Sequence, residues 1–422
     1  MSHNNLNLSK QNKRKGVNVH TEIAPLKTVL VHRPGQEVEN LVPDLLERLL
    51  FDDIPYLKLA RQEHDFFVQK MLDNGVEVLY IEKLLTETLT ANDQLNKDFI
   101  EQFLSESNAH THHLKKLRAY YSNLPIKEMI DVMIAGVETL TIGVKNADGY
   151  PFAVDPLPNL LFQRDVFSSV YNGVCLNRMR STTRNRETLF AFFVLSYHPR
   201  FSKQVKWYYE RHWSSSIEGG DVLMLNAKNI IVGCTERTEM KAIEKLASNL
   251  FNDLSHKDFR VVALDIPKKR AFMHLDTVLT NIDYDKFVVH PLIFEYENQF
   301  KIWEITKSGK KLIKMSLIDY FSFILGFKVT FIRCGGDSPI AAGREQWNDG
   351  TNVLTLKPGK VISYERNHVT NQLLRDAGIE VIEMPSSELS RGRGGPRCMT
   401  MPIWRDIIPA TKIIDPKKGD KS

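Results

Sequence analysis

Strand-like apolar runs alternate with amphipathic helices along most of this chain, and the alternation stops once, from about Lys83 to Val144. There, acidic and polar residues mix with leucines at helical spacing, with few strand signals and few glycines, so a bundle of helices is expected. Outside it the pattern predicts strands at Lys27 to Val31, Val76 to Ile81, Asn229 to Val232, Phe287 to His290, Lys328 to Ile332, Val353 to Leu356, Val361 to Tyr364 and Glu380 to Glu383. Helices are expected at Pro43 to Leu50, Leu57 to Leu72, Glu236 to Phe251 and Arg366 to Ala377. With 422 residues the chain exceeds one simple hydrophobic core. Two loops echo each other, Glu218-Gly219-Gly220-Asp221 and Cys334-Gly335-Gly336-Asp337, as β/α modules around one centre would produce.

The 56 basic and 51 acidic residues leave a net charge of +5, a mixed surface that disfavours nucleic acid as a partner despite a pI near 8.8. The basic run Lys10 to Lys15 sits in an Asn-rich N-terminus, which reads as a disordered tail over residues 1–16. That tail lacks an apolar signal core and no stretch is long enough to span a bilayer, so no membrane partner and a cytoplasmic location are expected. Cys175, Cys234, Cys334 and Cys398 have no paired spacing, which fits reduced thiols rather than a disulfide framework or zinc site. Cys175 and Cys234 lie in strand-like runs and are expected to be buried and inert.

Cys398 differs. It ends Arg391-Gly392-Arg393-Gly394-Gly395-Pro396-Arg397-Cys398, a loop too glycine-rich for core, and the neighbouring cations favour a thiolate, the nucleophilic form. Other clusters have the character of a site: Asn159 with Arg164 and Asp165 at the end of an apolar run; Glu218 and Asp221 about a Gly-Gly turn; His274 and Asp276 two residues apart; and the arginines Arg184 and Arg237. Each also has a structural reading as a cap, a turn residue, a hydrogen-bonded histidine or a solvated helix start. Taken together, Asp165, Glu218 and Asp276 carry more negative charge than a neutral carbonyl needs, and they suit a planar cation with a fork of donors. A guanidinium is such a cation. Its delocalised charge makes the central carbon a poor electrophile, so a positioned thiolate and a proton donor for departing ammonia are both required.

From about Val19 to Ile407 the sequence resembles the arginine deiminases of the guanidino-modifying (pentein) superfamily. The resemblance rests on His32-Arg33-Pro34-Gly35, Leu49-Leu50-Phe51-Asp52-Asp53-Ile54-Pro55, Met273-His274-Leu275-Asp276-Thr277, Ala342-Gly343-Arg344-Glu345-Gln346-Trp347-Asn348 and Arg397-Cys398-Met399-Thr400-Met401-Pro402. It implies a five-bladed α/β propeller with pseudo-fivefold symmetry over 17–82 and 149–415, and an inserted helical domain over 83–148. It further implies hydrolysis of L-arginine to L-citrulline and ammonia, the first step of fermentative arginine catabolism, by a cytoplasmic homodimer. Cys398 matches the nucleophile, forming an S-alkylthiouronium intermediate, and His274 the proton shuttle. Asp165 and Asp276 match the guanidinium clamps and Glu218 their proton-relay partner. Arg184, Arg237 and Asn159 match the carboxylate binders, and Arg393 a mobile gating arginine. No metal or organic cofactor is implied. The same fold also supports amidinotransferases and catalytically silent arginine-binding homologues. The chain departs from many members at Gln163 and Val166, which flank the Asp165 clamp, and at Arg397, where some branches carry His.

Overall fold

The computed structural model describes residues 14–254, 258–268, 272–295 and 299–408. Most of the expected tail, including Lys10 to Lys13, and the last residues of the expected 149–415 unit lie outside these.

Five strand ladders share one design, a middle strand antiparallel to one neighbour and parallel to the other. The first ladder joins Met401–Arg405, Leu26–Val31 and Glu77–Tyr80. The second contains Phe167–Val170, Gly173–Leu176 and Lys206–Tyr209. The third contains Val222–Asn226, Asn229–Cys234 and Arg260–Asp265, and is widened by the hairpin Lys301–Thr306 and Gly309–Ile313. Leu279–Asn281, Lys286–Val289 and Thr330–Arg333 make the fourth. The fifth is Leu354–Lys357, Lys360–Tyr364 and Glu380–Met384. In ladders two to five a short turn links the antiparallel pair. In all five, the parallel pair is joined through a helix: Leu57–Asp73, Glu187–Tyr197, Met240–Asp253, Leu317–Leu325 and His368–Asp376. That is the connection parallel strands require. Middle strands are covered on both faces, hence continuous apolar runs such as Ile230 to Val232.

Between Glu77–Tyr80 and the second ladder stand the helices Ile81–Thr90, Asp93–Ser105, Leu114–Ser122 and Ile126–Ala135. Asn92 starts one of them: its side-chain oxygen accepts from the Gln94 N–H at 2.9 Å. Their apolar faces do not form a core apart. Leu85, Phe99, Phe103, Tyr121 and Met129 share one cluster with Phe190 and Phe193 and with Phe167 and Val174 of the second ladder. Phe99 meets Phe190 and Phe193 edge-on at 5.5 and 5.0 Å, a favoured aromatic geometry. Four further apolar clusters lie among the ladders.

Predicted and observed strands differ by one or two residues at their ends. The helix expected from Glu236 starts at Met240, because Thr235 Oγ1 takes the N–H groups of Arg237 and Thr238 at 3.0 and 3.2 Å and turns the chain first. The reading omitted Glu187–Tyr197, which is apolar on nearly every side and so shows no amphipathic period. Among the described residues no helix is long and apolar enough to cross a membrane.

Phe99→Ala should open a cavity at the seam between the inserted helices and the second ladder. A loss of about 3–5 kcal/mol is expected, read as a lower denaturant midpoint.

Candidate functional site

A polar side chain stands shortly before the first strand of each ladder: Asp165, Glu218, the pair His274 and Asp276, Asn352, and Cys398. Equivalent positions in repeated units collect distant sequence at one centre. His274 Nε2 is 3.0 Å from Glu218 Oε2, and its Nδ1 is 3.8 Å from Asp165 Oδ1. Cys398 Sγ is 3.6 Å from Asp276 Oδ2, and the Cys398 N–H donates to Asn352 Oδ1 at 2.9 Å.

The first Gly-Gly pair makes this approach possible. A Cβ on Gly219 would lie 1.9 Å from the Arg164 carbonyl oxygen, and one on Gly220 would lie 2.6 Å from His274 Nδ1. Asp221 is structural, as one of its two readings held: it accepts from the Leu275 N–H and from Thr235 Oγ1, both at 2.8 Å, and so ties the histidine loop down. The second pair plays another part. Gly335 and Gly336 turn with φ of +70° and +67°, and exposed Asp337 pairs with Arg333 at 3.1 Å.

Burial pulls the His274 imidazole down, but Asp165, the Glu218 hydrogen bond and Asp221 outweigh it and raise the group to about 9. Glu218 is pushed up by burial and held below the usual carboxylate range by His274, Arg237 and Arg184. This buried pair is therefore an imidazolium and a carboxylate. The thiol departs from its expected state. Burial, then Asp276, Asp165 and Asp349, push Cys398 far above an ordinary cysteine, and Arg397 opposes them only weakly. The reason lies in where Arg397 spends its charge: Nη1 is 2.6 Å from Asp276 Oδ2, while Nη2 is 3.4 Å from Glu22 Oε1 and 3.2 Å from the Val222 carbonyl. That upward direction keeps the Cys398 thiol protonated at neutral pH. Cys175 is buried and also raised, while Cys234 is only half-buried and pushed up to about 11.

Arg184 is not solvated, and Arg237 is only partly so. Arg184 is buried and paired with Asp165 at 3.0 Å and Glu187 at 2.9 Å, so its charge is already balanced. Arg237 is looser, with Met273 Sδ at 3.8 Å and Glu218 Oε1 at 4.0 Å. Asn159 gives its amide N–H to the Leu49 carbonyl at 2.6 Å. Arg393 stacks over Trp347 at 4.0 Å. Asn159, Asp165, Arg184, Arg237, His274, Arg393 and Cys398 all line one cavity of about 40 Å³, together with the apolar Leu50, Phe162 and Met273. Glu218 and Asp276 stand behind His274 and Cys398. Two buried carboxylate oxygens, Asp165 Oδ1 and Asp276 Oδ1, receive no hydrogen bond. Asp165, Glu218 and His274 also offer three ligand atoms within 4.8 Å of one another, a group their mutual ion pairing already explains.

At the departures, Gln163 donates to the Leu160 carbonyl at 2.7 Å and Val166 is buried in the core, so Asp165 keeps its place. Sequence reasoning missed Asn352, although it directly precedes the predicted strand from Val353, a position the other site residues hold only relative to strands seen in the structure. It also missed Glu22, whose signal was a carboxylate among apolar neighbours in Thr21-Glu22-Ile23-Ala24.

The family model for arginine deiminase matches residues 47–405. An arginine deiminase of Mycoplasma capricolum subsp. capricolum is 57% identical over 94% of this chain and 99% of its own length. One from Clostridium perfringens is 46% identical over 93% and 99%. Among solved structures, an amidinotransferase of saxitoxin biosynthesis from Microseira wollei aligns with a TM-score of 0.55 at 16% identity, covering 93% of this chain and 98% of that one. The N-terminal domain of ArgZ, a cyanobacterial arginine dihydrolase, aligns with a TM-score of 0.50 at 14% identity, covering 90% and 99%. These likenesses show a shared α/β fold, and the sequence matches go further: the chain belongs to the arginine deiminase family.

Proposed function

We propose that the chain hydrolyses L-arginine to L-citrulline and ammonia through a covalent S-alkylthiouronium on Cys398. The observation that carries this reading is the Cys398 thiol and the His274 imidazole on one cavity, beside two buried carboxylate oxygens, Asp165 Oδ1 and Asp276 Oδ1, that receive no hydrogen bond.

The substrate guanidinium supplies the donors that Asp165 Oδ1 and Asp276 Oδ1 lack, and its positive charge offsets the carboxylates that keep the thiol protonated. The thiol then releases its proton to solvent water, where the departing ammonia takes it up as ammonium, and Sγ attacks the guanidinium carbon to form a tetrahedral adduct. His274, protonated at neutral pH, donates a proton to one terminal nitrogen, which leaves as ammonia. The S-alkylthiouronium remains and the imidazole is neutral. A water molecule entering the vacated space gives a proton to His274 and its oxygen bonds to the same carbon. The C–S bond breaks, the hydroxyl proton returns to sulfur, and citrulline is released. Glu218 steadies the imidazolium in both half-reactions. Arg237, whose charge is only loosely matched, takes the α-carboxylate, and Arg184 reaches that end while holding Asp165. The cavity of about 40 Å³ has room for a few waters and not for an amino acid, so the Arg391-to-Gly395 loop moves on binding.

The repeated strand–turn–strand–helix–strand pattern supports reading the ladders as five blades of an α/β propeller. In that reading residues 17–82 and 149–415 form the catalytic body, and 83–148 are a helical insertion. Four free thiols support a reducing cytoplasm, and the mixed surface charge supports a chain without nucleic-acid or membrane partners. A homodimer completes the reading by family likeness.

Purified protein incubated with L-arginine should yield citrulline and ammonia in equal amounts. With glycine added it should form no ornithine; ornithine would mark amidino transfer, and absence of citrulline would refute hydrolysis. Cys398→Ser should lower turnover by about four orders of magnitude or more with an unchanged circular dichroism spectrum, whereas near-parental activity would exclude the covalent route. His274→Ala should abolish citrulline formation from L-arginine, while an arginine analogue whose leaving group needs no protonation should leave a protein adduct visible by intact mass. His274 also ties stability to pH. Its folded value is raised from 6.5 to about 9, so the stabilisation it gives is full below pH 6.5 and lost as pH climbs through about 9. Across that window the melting temperature of the parent should fall towards that of His274→Gln, and a constant gap between the two would contradict the imidazolium assignment.

A further inference from the structure

Arg393 carries the same guanidinium that the site is proposed to process, and its side chain lines the catalytic cavity. Asp165 Oδ1 and Asp276 Oδ1 are buried without donors, and any guanidinium that reaches them finds partners. Arg184 and Arg397 already pair with the Oδ2 atoms of these carboxylates, and Arg393 is a further guanidinium on the cavity. In the structure it lies elsewhere: its central carbon is 4.0 Å over the Trp347 ring, and Nη1 is 3.6 Å from Asp52 Oδ2. From there the side chain also borders a groove of about 550 Å³, with Pro291, Leu292 and Trp347 in its wall. Arg393 itself adopts φ +55°, a left-handed conformation uncommon for a side-chain-bearing residue. Hydrogen bonding does not complete the pose, because Arg393 Nε is buried without a partner. Stacking and charge are what remain. Asp349, two residues beyond Trp347, is buried with Oδ2 unpaired, and Arg393 is the cation whose charge opposes its neutralisation.

We propose that Trp347 is a positioning residue: by stacking on Arg393 it holds that guanidinium outside the Asp165 and Asp276 carboxylates, so that the chain does not occupy its own substrate site. The proposal rests on the deiminase reading of that site. It gives the turn from Trp347 to Asn352 a double task, because Asn352 Oδ1 holds the Cys398 N–H at 2.9 Å. One turn then sets both the resting place of the gate arginine and the backbone of the nucleophile.

Trp347 is 51% exposed, so its replacement should spare the fold. A guanidinium released into the cavity competes with substrate, which raises KM without slowing the chemical step. Trp347→Leu should raise the KM for L-arginine about five- to tenfold, the scale of a lost cation–π contact, with kcat within about twofold. Trp347→Phe, which keeps an aromatic face, should stay near the parent. In an Arg393→Ala background, Trp347→Leu should leave KM unmoved. An unchanged KM in the single variant, a KM rise that persists without Arg393, or a fall in kcat alone would each overturn the proposal. If the parent forms no citrulline, the deiminase reading fails separately; calorimetric affinities of the same variants for L-arginine then decide the stacking proposal by the same pattern.

Discussion

The guanidinium of Arg397 is the contact on which the centre depends. It is buried, and it joins Asp276 ahead of the fourth ladder, the Val222 carbonyl of the third, and Glu22. Its own carbonyl and that of Cys398 accept from Arg164 beside the second ladder, at 3.3 and 3.0 Å. Asn352, ahead of the fifth, takes the Arg397 and Cys398 N–H groups at its backbone and side-chain oxygens, at 3.3 and 2.9 Å. Two consecutive residues thus touch elements of all five ladders, their own being the first. Removing that guanidinium would strand two buried carboxylates, which typically costs about 3–5 kcal/mol. Arg164 and Arg405 crowd the same Glu22, and burial together with mutual repulsion pulls them down to about 10 and about 9. The hub is held by the balance of these charges.

That balance explains why a cysteine surrounded by arginines is nonetheless protonated. Each nearby cation already answers a carboxylate: Arg397 answers Asp276 and Glu22, and Arg184 answers Asp165 and Glu187. What remains around the sulfur is burial and negative potential. A resting thiol resists adventitious oxidation and alkylation better than a thiolate. In the proposed mechanism the charge that ionises it arrives with the substrate, which would couple reactivity to occupancy. His274 has the opposite bias and is loaded with a proton before any substrate enters.

Much of this was legible in the sequence because it is local. The β/α alternation, the helical stretch and the ladder-entry residues Asp165, Glu218, His274, Asp276 and Cys398 are all short-range patterns. The charge states were not legible, since they depend on contacts between distant positions: Arg397 and Asp276 are 121 residues apart and Arg397 and Glu22 are 375 apart. Flanking arginines therefore suggested a thiolate where the folded chain holds a thiol. The two Gly-Gly-Asp loops show the same limit. Both connect one ladder to the next, yet one glycine pair clears space for His274 and the other makes a left-handed turn packed against Ala342.

Fold alone does not separate hydrolysis from group transfer, since an amidinotransferase shares this architecture. The difference lies in what can follow the departing ammonia. In the proposed mechanism the thiouronium carbon is approached through the space that ammonia vacates, in a cavity of about 40 Å³ whose lining includes Leu50, Phe162 and Met273. Water fits there and loses little by entering. An acceptor amine brings a carbon skeleton and, if it is an amino acid, a second carboxylate, for which Arg237 would be the loosely paired cation and is already assigned to the substrate. Such an acceptor would need the ornithine portion to leave while the amidino group stayed on sulfur, and then a refilling of the same subsite. In hydrolysis the departing group is ammonia, the amino-acid portion never releases its hold, and the loop over the cavity need not reopen before the second half-reaction.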